Sequence, residues 1–234
     1  MSTGSNARKA AQADGFGSGV LSRAAALVYT HLVIGVLLCA GSSPTVALLL
    51  LLERSASNVP LVPLCFVLSA PALSAALFAL HEREPGDELA PARRFLRGLR
   101  LGWSDALRVW TPAMAALSLI SGGMVSLDDA GIPAAYAGIL LTLGVLFLLW
   151  GVNALLIATF FSFRWRDTAR LAAFYIGRRW SVTLGELALL TVAVATVFFT
   201  TEAVLWLFQV VWISFLVIVA RPLIADVTTR FTKT

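Results

Sequence analysis

Apolar residues in this chain come in long unbroken runs, without the alternation of a strand or the one-sided stripe of a surface helix. Six runs stand out, at 24–52, 59–80, 106–126, 132–161, 182–200 and 203–220. A helix needs about 20 such residues to cross the hydrocarbon core of a bilayer. The pattern therefore predicts an all-α, polytopic membrane helix bundle with six transmembrane helices. Residues 21–222 form the transmembrane domain in this reading. Residues 1–20, rich in Gly, Ser and Ala, are expected to be a disordered tail, and 223–234 a second tail. The first and fourth runs are long enough to tilt or protrude. In the first, Gly41-Ser-Ser-Pro44 is expected to break or kink the helix, because Pro44 has no N–H to donate. A shorter span followed by a re-entrant stretch is the alternative. The first run outlasts the roughly 7–15 residues of a signal-peptide core. Leu38 also fills the place where lipoprotein processing at Cys39 needs a small residue, so the segment is expected to be retained.

Two polar stretches interrupt the runs and read as amphipathic helices lying at the membrane interface. In the first, Ala92, Leu96, Leu99 and Trp103 share one face, and Arg93, Arg97 and Arg100 another. Such a helix lies among headgroups with its arginines on phosphates, and Trp103, Trp165 and Trp180 suit the same layer. Phe95-Leu-Arg-Gly98-Leu-Arg100 leads into the third run, and Phe174-Tyr-Ile-Gly177-Arg-Arg179 into the fifth. The shared F-x-x-G-x-R points to a duplicated unit of span, interfacial helix and span. Arg93, Arg94, Arg97, Arg100, Arg178 and Arg179 are the candidates for binding a partner or lipid, with plain anchoring the simpler alternative.

Composition and charge sharpen this picture. Hydrophobic residues make up 59% of the 234 positions and charged ones 13%, against roughly 25% charged in a soluble domain. The 18 basic residues outnumber the 13 acidic ones. Under the six-span scheme one side receives Arg8, Lys9 and Arg23; Arg83, Arg93, Arg94, Arg97, Arg100 and Arg108; Arg164, Arg166, Arg170, Arg178 and Arg179; and Arg221, Arg230 and Lys233. The other side keeps Arg54 alone. By the positive-inside rule both termini are expected in the cytoplasm. The outer turns are short, as at Asp128-Asp129-Ala130-Gly131, which leaves little protein outside for an exported domain.

Inside the runs, ionisable and amide groups are costly and so mark candidate sites. His31 and Glu186 fall at similar depth, about 10 Å from the arginine-bearing surface at about 1.5 Å per residue, and are expected to pair. Asn153 and Gln209 fall near mid-depth and form the second expected pair. Each is read as an interhelical hydrogen bond worth about 1 kcal/mol, with a proton-coupled or polar-ligand site the alternative for His31 and Glu186. Ala130, Ala137, Gly144, Gly151 and Ala158 recur every seventh position, a smooth stripe that places the fourth span at the bundle centre. No phosphate loop, zinc-protease or nucleophile-elbow motif is present. Two histidines and the isolated Cys39 and Cys65 offer no metal set. The expectation is a non-enzymatic protein without cofactor or metal, in contact with the lipid bilayer and not with nucleic acid.

Ser69-Ala-Pro71-Ala-Leu-Ser-Ala-Ala-Leu-Phe78, Pro91-Ala-Arg-Arg-Phe-Leu-Arg-Gly-Leu-Arg100 with Trp103, and Arg170-Leu-Ala-Ala-Phe-Tyr175 together resemble the YesL-like family of bacterial membrane proteins. The first span departs from the family pattern in lacking its Asn and Trp. The resemblance implies a multi-pass protein of the bacterial plasma membrane, classed as a domain of unknown function. It also implies an accessory role in carbohydrate uptake or its regulation, with an ABC transporter permease or another membrane protein as partner. A small carrier with a polar path through the bundle is the alternative.

Overall fold

A computed structural model describes residues 20–81, 90–127, 130–133 and 135–231, and all regular structure among them is helical. The expected N-terminal tail through residue 19, Arg83 and the Asp128-Asp129 pair lie outside the described residues. The helices are α1 (Val20–Leu51), α2 (Leu61–Cys65), α3 (Ala70–His81), α4 (Pro91–Val125), α5 (Ala135–Phe160), α6 (Trp165–Arg178), α7 (Trp180–Phe199), α8 (Glu202–Leu207) and α9 (Gln209–Phe231).

Among the described residues, five helical segments are long and apolar enough to cross a membrane: Ala24–Leu51, Leu61–His81, Ala135–Phe160, Trp180–Phe199 and Gln209–Arg230. The expected third span is absent from that set. It is the second half of α4, where Arg108, Thr111 and Pro112 dilute the apolar run. The whole of α4 still runs the length of the bundle. Gly98, near one end of α4, packs on Phe78, and Gly122, near the other, packs on Pro60.

Proline shapes two of the spans differently. Pro44 sits inside α1, which continues as one helix from Val20 to Leu51, so neither a break nor a re-entrant stretch occurs. Between α2 and α3 the chain instead tightens into a 3-10 turn at Phe66–Ser69. Pro71 has no N–H to bond the carbonyl of Val67, and Ala70 N–H turns to that carbonyl in its place. The oxygen of Phe66 then accepts the Trp110 indole N–H at 3.1 Å and the Ser69 hydroxyl at 2.7 Å. At the α4–α5 turn, Gly131 adopts φ +64°, a left-handed conformation that favours glycine.

Small residues draw the helices together, as expected where lipid removes the hydrophobic drive between helices. Ala72, Ala75, Ala76 and Ala79 are all buried, which puts α3 at the centre. The predicted central helix, α5, is only half enclosed, because Tyr136, Ile139, Leu141 and Leu143 are exposed. Its glycine stripe does carry a helix contact. Gly151 lies so close to Ala113 of α4 that an added Cβ would stand 2.7 Å from the alanine methyl, and Gly144 faces Leu117 and Ile120. The last span also differs from expectation. It begins at Gln209 after a break at Phe208, and the stretch read as a C-terminal tail from 223 is helical through Phe231, with Leu223, Ile224 and Val227 buried.

Candidate functional site

Packing gathers the arginine-rich segments at one end of the bundle. His81, ending α3, lies 4.6 Å (ring centroids) from Phe160, ending α5, while Gly98 of α4 meets Phe78. Asp226 of α9 reaches Arg179 at the α6–α7 junction, and Trp150 donates to the carbonyl of Ala169 at 2.9 Å. The two amphipathic stretches are built differently there. The second is the separate helix α6. The first is not a separate interfacial helix, since Pro91–Arg100 is continuous with the rest of the 35-residue α4.

The face of α4 that packs is also not the one hydropathy singled out. Pro91, Phe95, Gly98 and Ala106 are buried, whereas Leu96 and Trp103 are exposed. Glycine explains this. Gly98 and Gly102 carry little hydropathy but admit Phe78 and Ser74 of α3 to near contact. Arg94 lies on this packed face and is 5% exposed, which withdraws it from the surface candidates. Arg93, Arg97 and Arg100 stay exposed and line, with Leu96 and Leu101, an open groove of about 500 Å³. Among the described residues no carboxylate pairs with these three arginines. A comparable groove of about 530 Å³ on α6 is lined by Phe163, Asp167, Arg170, Leu171 and Phe174.

At the second segment Arg178 is exposed, its guanidinium 5.4 Å from the centre of the Phe174 ring. Arg179 is engaged. Its Nη2 lies 2.6 Å from Asp226 Oδ1, Tyr175 Oη donates to Asp226 Oδ2 at 2.9 Å, and Arg230 Nε lies 3.2 Å from the same carboxylate. Burial and the adjoining Asp226 carboxylate push the Tyr175 phenol up to about 12. Sequence reasoning missed this cluster because Asp226 fell in the supposed tail. The available signal was Asp226 and Arg230 at i,i+4 spacing, beside an apolar run too regular for a tail.

The intramembrane residues are matched in a different way from that expected. His31 bonds the carbonyl of Leu27 in its own helix at 2.8 Å and not Glu186. Glu186 is instead joined to Asn153, whose Nδ2 donates to Glu186 Oε2 at 2.8 Å. Gln209 packs on α1, where Ser42 Oγ donates to its Oε1 at 3.4 Å and its Nε2 lies 3.4 Å from Cys39 Sγ. The bond crosses the depths read from the sequence, since Asn153 was placed near mid-depth and Glu186 nearer the arginine-bearing surface. Two of the four residues are thus bonded to each other, while His31 and Gln209 find partners elsewhere. Among the described residues no group of three or more His, Cys, Asp or Glu could hold a metal ion.

Comparison with protein-family models, curated proteins and solved structures yields no match to this chain.

Proposed function

We propose that this helical membrane protein is a non-enzymatic accessory subunit, which docks a membrane partner on the exposed arginine face of α4. The observation that carries the reading is the split character of Pro91–Arg100. One face is locked into the bundle through Phe95 and Gly98, and the other presents Arg93, Arg97 and Arg100 beside exposed Leu96 and Leu101. Rigid seating lowers the entropy lost on docking, and cations flanked by apolar side chains suit an acidic, partly apolar partner surface. The positive-inside distribution of basic residues favours a cytoplasmic position for this face. The YesL-like resemblance directs the first search to the permeases of carbohydrate ABC transporters in a bacterial plasma membrane.

The test is mild-detergent co-purification of tagged protein from its native membrane, comparing wild type with Arg93→Glu/Arg97→Glu/Arg100→Glu. A stoichiometric partner that is lost in the folded triple variant supports docking. Recovery of the same partner with both proteins, or of no partner with either, overturns it. A second reading, a small carrier, draws on the buried Asn153–Glu186 pair. It requires substrate flux from purified, partner-free protein in vesicles.

A further inference from the structure

The pair formed by Asn153 and Glu186 plays no part in docking at the arginine face, and its chemistry stands independently of that proposal. It joins α5 to α7 in a place closed to solvent and lipid, with the two residues 1% and 4% exposed. Asn153 Nδ2 donates to two acceptors, the carbonyl of Leu149 at 2.9 Å and Glu186 Oε2 at 2.8 Å. Those two bonds fix which end of the amide is nitrogen. They leave Asn153 Oδ1 and Glu186 Oε1 as buried oxygens with no donor. Orphaned buried acceptors are uncommon in folded proteins, and each calls for a physical reason.

One hydrogen atom satisfies both. On Oε1 it makes the carboxyl a donor, and Asn153 Oδ1 is the matching acceptor in the same pair. Such a proton would close the two-bond ring of a carboxylic acid facing a primary amide, adding O–H to Oδ1 to the N–H bond to Oε2 already made. We propose that Glu186, held by Asn153, is a proton-binding site within the membrane. It takes one proton from bulk water to form one O–H bond at Oε1, and it returns that proton to water when it ionises.

Among the described residues, the helices packed around the pair offer no rival for the charge. Glu186 is the one ionisable residue of α7, and α5 carries no ionisable group besides Tyr136, at its far end. On α9, Asp226 is engaged with Arg179 and Arg230, and Arg221 is exposed. Tyr175 of α6 bonds Asp226, Arg166, Asp167, Arg170 and Arg178 of α6 are exposed, and Glu202 begins α8. None bonds Glu186. The helix it holds is also the least enclosed of the five apolar segments, with only Val182 and Glu186 buried along it. Beside Glu186, Gly185 lets α9 approach until an added Cβ would stand 2.6 Å from Val219. Thus α7 is seated by a glycine contact on one side and by the acid–amide pair on the other. Losing the proton puts an unpaired charge in that seam, a state that is costly in a low-dielectric interior.

Infrared difference spectroscopy of the reconstituted full chain tests the site. At neutral pH exposed glutamates are ionised, so the proposal expects a protonated-carboxyl C=O band in wild type that is lost in Glu186→Gln. That substitution keeps a two-bond ring, now amide to amide, and removes the titration. Below about pH 10, where Tyr175 still holds its proton in both proteins, its melting temperature should therefore stay level as pH rises while that of wild type falls. Should Glu186→Gln fail to fold, Asn153→Ala with isotope-labelled glutamate gives the same answer. Its carboxyl band must move to higher frequency on losing the amide donor, and an unmoved band overturns the assignment. Absence of the band from folded wild type at neutral pH, or its persistence in Glu186→Gln, also overturns it. So does its erasure by added sodium, which would assign the site to a metal ion.

Discussion

The two arginine-rich segments share the pattern F-x-x-G-x-R, three positions of six, yet they meet opposite surroundings. In Phe95–Arg100 the phenylalanine is 3% exposed, and an added Cβ on Gly98 would stand 2.9 Å from Phe78 Cβ. In Phe174–Arg179 the phenylalanine is 51% exposed, and nothing lies within 4 Å of the same point on Gly177. The arginines reverse as well, since Arg100 is exposed while Arg179 is bound by Asp226. The spelling secures an amphipathic helix in both places. What each side chain does there depends on the helix laid against it, which is α3 with its small residues for the first and the end of α9 for the second.

This contrast can be broken at its tightest point. Gly98→Leu forces a side chain into Phe78 and is expected to cost about 2 kcal/mol by overpacking, read as a lower melting temperature in detergent. The equivalent Gly177→Leu should cost far less. Next in size is the hydroxyl contact at the second segment. Tyr175→Phe removes one hydrogen bond to Asp226, a loss of about 1 kcal/mol. The same contact has a pH signature. The folded phenol titrates near 12, above the ordinary value of 10, so the native state holds its proton more tightly than the unfolded state. The stability it contributes is intact below the ordinary value and is lost as pH climbs from there toward 12. Ultraviolet titration should show one of the three tyrosines ionising late, and Tyr175→Phe should abolish that lag.

Smaller effects sharpen the comparison. Gly177→Ala should stabilise the protein by about 0.5 kcal/mol or slightly more, through reduced unfolded-state freedom at an unobstructed helical position. Gly98→Ala should destabilise it. Arg97→Glu, on the exposed face, should leave the melting temperature within about 0.5 kcal/mol of wild type. Arg179→Ala should lower it visibly, because a carboxylate 8% exposed loses its nearest cation.

The run lengths in the sequence revealed an all-helical membrane bundle, and the scarcity of polar residues in those runs brought Asn153, Glu186, Gln209 and His31 forward. Pairing them needed the rotation of each helix about its axis. An uninterrupted apolar run does not encode that rotation, because every face looks alike. Glu186 thus went to Asn153 and not to His31. The packed face of α4 was hidden for a related reason. Close contact was made by Gly98 and Gly102, residues that add almost nothing to a hydrophobic pattern. The helical course of 223–231 was obscured by the charges of Asp226 and Arg230, which serve as a tertiary clamp and not as the start of a solvated tail.

The continuity of α4 has a mechanical consequence. At about 1.5 Å per residue its 35 residues make a rod of about 50 Å, against about 30 Å for the hydrocarbon core. Arg97 stands near one end. Near the other, Ser118 donates to the carbonyl of Pro60, and Gly122 rests on the Pro60 ring. A joint between an interfacial helix and a span would absorb a sideways pull, but a helix continuous through Pro112 carries part of it through. Force applied by anything gripping the arginines would therefore be delivered to the Pro60 turn on the far side of the bundle.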